Sequence, residues 1–351
     1  MRCFLKGLSP QEPTEIIQLT NHPPTLFNLS HFPKGYVPLF SRDWSNIVRL
    51  HALVFSHPPS DGVLLDMYGD GVGCRVNETI FGSTMGKGLE KRVEEAYYDL
   101  GTQVGNARKG DDDLHVFVFG FSRGAYAARL FCELVACCGV PSNEGSYDEA
   151  MSHLVAHDLD AAQKGVSDGK YLSSPDIDLL GVFDTVKMTN VGLGVDISKL
   201  PNIVRHACHA MSYHERRSIF PLTRFAPGQS NVEEVWFVGS HTDIGGGYVK
   251  RGLADHSLAW MVGKANEYGL PVTLNAIDGD TANHEAKFND SATWCQTLCG
   301  LLTKERVAQD GDVFHWSVDE RRSLVADAVP DLPDASVIAY TPRPNAMAMM
   351  A

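Results

Sequence analysis

The sequence lacks any apolar run of the roughly 18 residues that a membrane-spanning helix requires. Its first residues, MRCFLKGLSPQEPTE, contain no apolar core of the kind that Sec-type signal peptides carry. We therefore predict no transmembrane segment and synthesis in the cytoplasm. Secretion without a cleaved signal peptide stays compatible with this pattern.

Basic residues are also scarce. The 30 Lys and Arg residues are outnumbered by 43 Asp and Glu residues, which gives a formal net charge of -13. A nucleic-acid-binding surface must be basic to bind phosphates, so this balance argues against a nucleic-acid partner.

The eight cysteines have no Cys-x-x-Cys spacing and no histidines at ligand spacing beside them. This pattern predicts buried, reduced thiols and neither a zinc site nor a disulfide framework. Pro201 is expected to begin a helix that carries His206, His209 and His214, but no carboxylate or cysteine joins these histidines at metal-ligand spacing. We predict no metal and no cofactor.

The residues around Ser122 are the most informative part of the chain. A short apolar run from His115 to Phe119 is followed by the motif GFSRG at 120–124 and then by an apolar run of helical length. Strand, sharp turn and helix are the context that a Gly-x-Ser-x-Gly nucleophile elbow requires. Gly120 and Gly124 are both expected to be required because a Cβ would clash where strand and helix cross.

Strand and helix patterns alternate along most of the chain, which predicts an α/β class protein. Its expected form is a three-layer α/β/α hydrolase fold, with a mostly parallel central sheet flanked by helices. The helical pattern at 141–165 indicates either a crossover helix or a lid over the site. The other expected helices are 44–55, 89–101 and 254–268, and the expected strands are 62–68, 177–183 and 234–239.

No linker-like stretch divides the strands, so we predict one domain over 1–351. Residues 1–45 form an atypical N-terminal segment, in which Glu15 to Leu19 is the only plausible strand. Residues 270–351 are expected to be an irregular C-terminal extension packed on the same domain, with a helix at 292–302 and strand-like segments near Val313 and Val337.

Asp184 and His241 each follow a predicted strand, as Ser122 does. The chain order Ser122, Asp184, His241 is the order found in α/β hydrolases. In such a triad the histidine removes the serine proton, and the carboxylate fixes the imidazole tautomer and stabilises its cation. Because parallel strands end at one edge of a sheet, the three side chains are expected to lie near one another.

With these residues in view, the chain resembles the DUF2235 family, the α/β-hydrolase catalytic domain of type VI secretion phospholipase effectors (Tle1-like). The resemblance implies the Ser122, Asp184, His241 triad and hydrolysis of carboxylic esters, in several members those of phospholipids. It also implies a lipid or other ester substrate and a partner such as a secretion-apparatus, immunity or adaptor protein. The matching segments are GFSRGAYAARL at 120, GVFDTV at 181, HERRSIFP at 214, VWFVGSHTDIGGGY at 235 and LAWM at 258.

The identity of the acid and base that act with Ser122 stays open. Asp243 and His315 also lie in matched segments and are the second choice as partners of Ser122. The N–H of Arg123 is the expected first oxyanion donor.

For the second donor, the turn containing Gly69, Asp70 and Gly71 is the candidate. This glycine-dense turn has neither a Gly-x-Gly-x-x-Gly pattern nor a Walker lysine, which argues against nucleotide binding. The Asp-Gly-Thr motif that family members usually carry near their start is absent from residues 1–45. The alternative function is therefore a non-catalytic or weakly active binding or assembly subunit.

Overall fold

The structure is a computed structural model and describes residues 2–6, 44–56, 62–67, 84–110, 113–187, 194–218, 220–248, 250–272, 304–324 and 339–342. The helices in this part are α1 Asn46–Ser56, α2 Thr84–Gly110, α3 Arg123–Cys138, α4 Tyr147–Ala156, α5 Leu159–Ser167, α6 His241–Gly245, α7 Gly252–Glu267 and α8 Trp316–Leu324. The strands are β1 Arg2–Lys6, β2 Gly62–Asp66, β3 Asp113–Phe121, β4 Val140–Pro141, β5 Tyr171–Leu172, β6 Ile177–Phe183, β7 Val204–Ser212, β8 Val232–Phe237, β9 Val313–Phe314 and β10 Ala339–Tyr340.

The centre of the described part is an eight-stranded sheet with the order β10-β9-β8-β7-β6-β3-β1-β2. The strands from β3 to β10 in this order run parallel to their neighbours. β1 pairs antiparallel with both β2 and β3. The sheet is therefore mostly parallel, as the sequence predicted.

Helices cover both faces of this sheet. On β3, Val116 and Val118 are buried against one face, in a cluster that contains residues of α2, α3, α4 and α5. Phe117, which points to the opposite face, is buried with residues of α1 and α7. The alternation of side chains along the strand produces these two separate cores. The three-layer α/β/α architecture is thus confirmed.

The parallel strands end at a common edge. β3 and β6 pair in register, so that Phe121 lies beside Phe183 at their carboxyl ends. β7 continues the row, since Phe183 pairs with Ala210, and β8 ends next to it at Phe237. We call this row of strand ends the carboxyl edge, and it places the residues that follow each strand next to one another.

Two sequence predictions about regular structure are wrong. The segment after Pro201 is not a helix: Val204–Ser212 is strand β7, buried between β6 and β8. Its length and apolar character suit a buried strand as well as a helix, and periodicity cannot separate the two. Arg2–Lys6 is a strand inside the sheet, whereas the only strand predicted before residue 45, Glu15 to Leu19, lies outside the described residues.

The helical pattern at 141–165 corresponds to two helices, α4 and α5, separated at His157, which has a left-handed backbone (φ 53°). They pack on α3 and α2: the Cys138 thiol donates to Ala150 O, and the Tyr147 N–H donates to the Tyr98 hydroxyl. The contacts favour the crossover interpretation over a lid. Val313 is in strand β9 as predicted, and β10 at Ala339–Tyr340 is a strand near Val337, as also predicted. Residues 292–302 and Val337 itself lie outside the described residues.

Candidate active site

Ser122 lies at the turn between β3 and α3 with φ 59° and ψ -123°, a backbone conformation that L-residues rarely adopt. Its N–H donates to Phe183 O (3.0 Å), and its carbonyl accepts from Ala125 N and Tyr126 N, which start the helix. Such strain persists only where the surroundings fix it, and it concentrates at functional sites. The local geometry is that of a sharp strand-to-helix turn with a partly exposed serine at its apex.

Of the two glycines in the GFSRG motif, Gly120 has no space for a side chain, whereas Gly124 does. A Cβ on Gly120 would lie 2.4 Å from Gly124 O and 2.6 Å from the Ala125 Cα, both backbone atoms that cannot move aside. At Gly124, apart from its chain neighbours and the backbone of its own helix, no atom of the described residues would lie within 4 Å of a Cβ. The prediction that both glycines are sterically required is therefore correct for Gly120 and wrong for Gly124, whose helical position points away from the crossing.

Asp184 follows β6 with a positive φ of 41° and has no solvent exposure. Its Oδ2 lies 2.5 Å from His241 Nδ1, and its Oδ1 accepts from Ser212 N at 2.9 Å. Burial by itself would raise the pKa of this carboxyl, but Arg306 and His241 outweigh burial and lower the pKa. Asp184 is thus an ionised carboxylate in contact with an imidazole.

His241 is the first residue of the short helix α6, which follows β8 at the carboxyl edge. Its ring packs between Phe121 (centroids 4.6 Å apart) and Phe220 (5.0 Å). Phe121 directly precedes Ser122, so the imidazole lies beside the serine turn. Because Nδ1 is bonded to Asp184, the nitrogen left to exchange a proton is Nε2.

A neighbouring segment, HER at 214–216, holds the start of α6, where His241 lies. Glu215 is buried and its Oε2 accepts from His241 N (3.2 Å), while its Oε1 accepts from Arg217 N and Nε, both at 2.8 Å. His214 exchanges backbone and ring bonds with Gly239. Burial by itself would raise the pKa of the Glu215 carboxyl. The hydrogen bonds and charge of Arg217 and the nearby His241 outweigh burial and lower this pKa, so the carboxylate stays charged.

Arg306 is the part of the site that the sequence did not reveal. Its Nη1 donates to Asp184 Oδ1 (2.6 Å) and Ser212 O (2.7 Å), and its Nη2 donates to Asp184 Oδ2 (3.1 Å) and Phe220 O (3.1 Å). It is separated from Asp184 by 122 residues and lies in no motif that the sequence singled out. No local signal marked it.

The second-choice partners have other contacts. Asp243 Oδ2 accepts from the N–H (2.9 Å) and hydroxyl (3.0 Å) of Ser240, a capping box at the start of α6. His315 Nδ1 contacts the Ser317 hydroxyl at 2.8 Å. Its ring stacks on Phe237, and burial lowers its pKa well below the ordinary value. These contacts serve helix capping and core packing, whereas Asp184 and His241 are bonded to one another.

Of the proposed oxyanion donors, Arg123 is the first residue of α3, where backbone N–H groups point out of the helix. Gly69, Asp70 and Gly71 lie outside the described residues. Within the described ranges, no group of three or more His, Cys, Asp and Glu side chains is arranged to hold a metal ion. No described helix combines the length and apolar character needed to cross a bilayer.

Comparisons with known proteins give one family. Residues 38–264 match the family described as "T6SS, Phospholipase effector Tle1-like, catalytic domain". Comparison with curated proteins gives no match.

Two solved structures are similar to parts of the chain. One is a crystal structure of an uncharacterized protein from Pseudomonas aeruginosa, with 21% identity and a TM-score of 0.34 over 54% of this chain and 29% of that one. The other is the Tle1 effector bound to the VgrG spike from the type 6 secretion system, with 23% identity and a TM-score of 0.31 over 47% of this chain and 32% of that one. The chain thus spans about a third of either protein. Because the family match covers more than half of its residues, the chain belongs to the Tle1-like catalytic-domain family of type VI secretion phospholipase effectors.

Proposed function

We propose that the protein is a serine hydrolase that cleaves carboxylic esters, with phospholipids or other lipids as its substrates. The observation that carries this proposal is the bonded pair of Asp184 and His241 lying beside the strained turn at Ser122. Membership in a family named for phospholipase effectors supports the lipid substrate class.

In the proposed reaction, His241 Nε2 takes the Ser122 proton as the Oγ attacks the ester carbonyl. The resulting oxyanion is stabilised by the Arg123 N–H and the positive end of α3. His241 then gives the proton to the departing alcohol, which leaves an acyl group on Ser122. Water, deprotonated by the same imidazole, cleaves this acyl-enzyme and restores the serine. Asp184 stabilises the imidazolium that forms in each half-reaction.

A fluorophosphonate probe tests the nucleophile. We expect the folded wild-type protein to be labelled at Ser122, as located by mass spectrometry, and to hydrolyse a soluble ester. Ser122→Ala should abolish both. Ser167→Ala, which changes an exposed serine of α5, should react as the wild type does. A folded wild type that neither labels nor hydrolyses esters would contradict the proposal and favour the non-catalytic or weakly active binding subunit.

Phospholipid vesicles test the substrate class. We expect wild-type protein to release fatty acid and lysophospholipid, because the proposed reaction cleaves an acyl ester, and Ser122→Ala to release neither. Release of a phosphorylated headgroup with an intact diacylglycerol would show a different bond cleaved. Export through a secretion apparatus is part of the same proposal, since the family that the chain belongs to is described as one of type VI secretion effectors.

A further inference from the structure

The carboxylate of Asp184 is enclosed by four hydrogen-bond donors. Ser212 N and Arg306 Nη1 bond to Oδ1, while His241 Nδ1 and Arg306 Nη2 bond to Oδ2. Half of these bonds therefore come from one guanidinium. A triad carboxylate needs a donor from the histidine and a fixed orientation, but it does not need a full counter-charge in contact with both of its oxygens.

We propose that Arg306 is a positioning residue of the triad: it holds the Asp184 carboxylate ionised and oriented towards His241, and it thereby sets the lowest pH at which the enzyme works. This inference rests on the proposed hydrolase function.

The geometry makes Arg306 a fixed part of the site. Its side chain is only 8% exposed. The donors that do not reach Asp184 bond to Ser212 O and Phe220 O, so the guanidinium cannot turn away without leaving buried N–H groups unpaired. The segment that carries it is anchored by the bond from Lys304 N to Arg216 O (2.8 Å). A planar fork of this kind fixes both the position and the plane of a carboxylate.

The charge of Arg306 has a separate effect. Without it, the buried carboxylate would face the imidazole alone, and the Asp184–His241 pair would hold a proton to higher pH. An imidazole that already carries that proton cannot accept one from Ser122. A neighbouring opposite charge typically changes proton affinity by about 1–3 pH units. Loss of the cation should therefore move the acidic limb of the activity profile upward.

The other charged groups that face this pair come from β7 and the segment after it. Glu215 bonds to the His241 backbone and is paired with Arg217. His209 accepts from Thr185 N through Nε2 and donates to Glu234 through Nδ1. Burial lowers the pKa of this imidazole, so it stays neutral in the working range. The hydrogen bonds to the Asp184 carboxylate come from Ser212, His241 and Arg306, and of these three Arg306 is the permanent cation. Its charge is therefore the one that the experiment removes.

The test compares Arg306→Gln, which keeps hydrogen-bond donors but no charge, with Arg306→Lys, which keeps the charge but not the fork. kcat and KM for a soluble ester are measured from about pH 5 to about pH 10. For Arg306→Gln we expect the acidic limb of kcat/KM to move upward by about 1–3 units, with recovery towards the wild-type rate at high pH. Arg306→Lys should keep the wild-type limb and lose kcat at all pH values.

Arg205→Met is the matched control. Arg205 also bridges two aspartates of the β6 region, Asp176 and Asp178, but at the opposite end of the strand and largely exposed. We expect its pH profile to equal that of the wild type. An unmoved acidic limb in Arg306→Gln, or a uniform loss at every pH, would overturn the proposal.

A stability measurement covers the case in which Arg306→Gln is too unstable for kinetics. If the damage comes from an unpaired buried carboxylate, the double variant Asp184→Asn/Arg306→Gln should unfold at a higher temperature than Arg306→Gln alone. Additive losses would overturn the proposal. Wild-type labelling by the fluorophosphonate is measured separately, so failure of the hydrolase function and failure of the Arg306 role give different results.

Discussion

Backbone strain marks the candidate catalytic residues one by one. Among the described residues, the non-glycine positions with positive φ are Ser122, His157 and Asp184. His157 ends a helix, where a left-handed residue is common. The other two follow the ends of adjacent strands, and Ser122 N is bonded to the carbonyl of Phe183, the residue before Asp184. A backbone hydrogen bond thus links the strained turn of the proposed nucleophile to the residue that precedes the strained carboxylate position.

At this scale we predict the effect of Asp184→Asn. The amide cannot stabilise an imidazolium and does not fix the tautomer that leaves Nε2 free, so kcat for ester hydrolysis should fall by about 10,000-fold. Thermal unfolding is measured in parallel, because the change also removes the partner of Arg306. Asp176→Asn, at an exposed ion pair, is the control and should keep wild-type kcat. A fall of less than about tenfold would argue against the role of Asp184.

The crossing of β3 and α3 is the feature that matters at the scale of elements. The strand and the helix meet at Gly120 so closely that any Cβ there would overlap backbone atoms of the first helical turn. Ala125, directly opposite, is fully buried. The close approach brings the start of α3 to the carboxyl edge and places the partly exposed Ser122 between strand and helix.

We therefore predict that Gly120→Ala forces the two elements apart. It should destabilise the fold by about 1–3 kcal/mol or more and reduce probe labelling of Ser122. Gly263→Ala in α7 is the matched control: outside its chain neighbours and the backbone of its own helix, no described atom lies within 4 Å of the added Cβ, so the change should stabilise the helix by about 0.5–1 kcal/mol. Chemical denaturation checks both, and equal stabilities of the two variants would contradict the predicted crossing.

At the scale of the whole molecule, a partly buried polar network connects β9 to the rest of the sheet. Arg224 donates to Glu234 of β8 through Nε and to Asp312 through Nη1 and Nη2. Asp312, just before β9, also accepts from the Trp236 indole at 2.8 Å. These bonds attach Asp312, and with it the start of β9, to the sheet, while the single domain over 1–351 stays a prediction.

This network predicts how stability depends on pH. Burial alone would raise the pKa of Glu234, but hydrogen bonds from His209 and Phe225 N and the charge of Arg224 lower it to about 2. A folded-state pKa below the unfolded value of about 4.3 stabilises the protein above that pH, and this contribution is lost as pH falls towards 2. Glu234→Gln should lower the unfolding temperature at neutral pH and flatten its decline in acid, and a decline as steep as in the wild type would refute this.

The sequence predicted the features that depend on local pattern. The β3–turn–α3 unit, the buried strand before Asp184 and the two-sided sheet follow from apolar runs and turn residues, and all are present. The sequence predicts a helix where the structure has β7, because a short buried run fits both the helical and the strand period. The sequence does not reveal Arg306, because a single arginine in an irregular segment forms no pattern. Its proposed role depends on its contact with Asp184, which is 122 residues away in the chain.

The distance along the chain between Asp184 and Arg306 has a practical consequence. The family match ends at residue 264, so a fragment cut at that boundary would keep Ser122, Asp184 and His241 but discard the cation that neutralises the acid. Such a fragment would have every residue of the proposed triad, and we would still expect it to have low esterase activity at neutral pH. Esterase activity of this protein should therefore be measured on the chain that includes Arg306 and compared with the fragment that ends at residue 264.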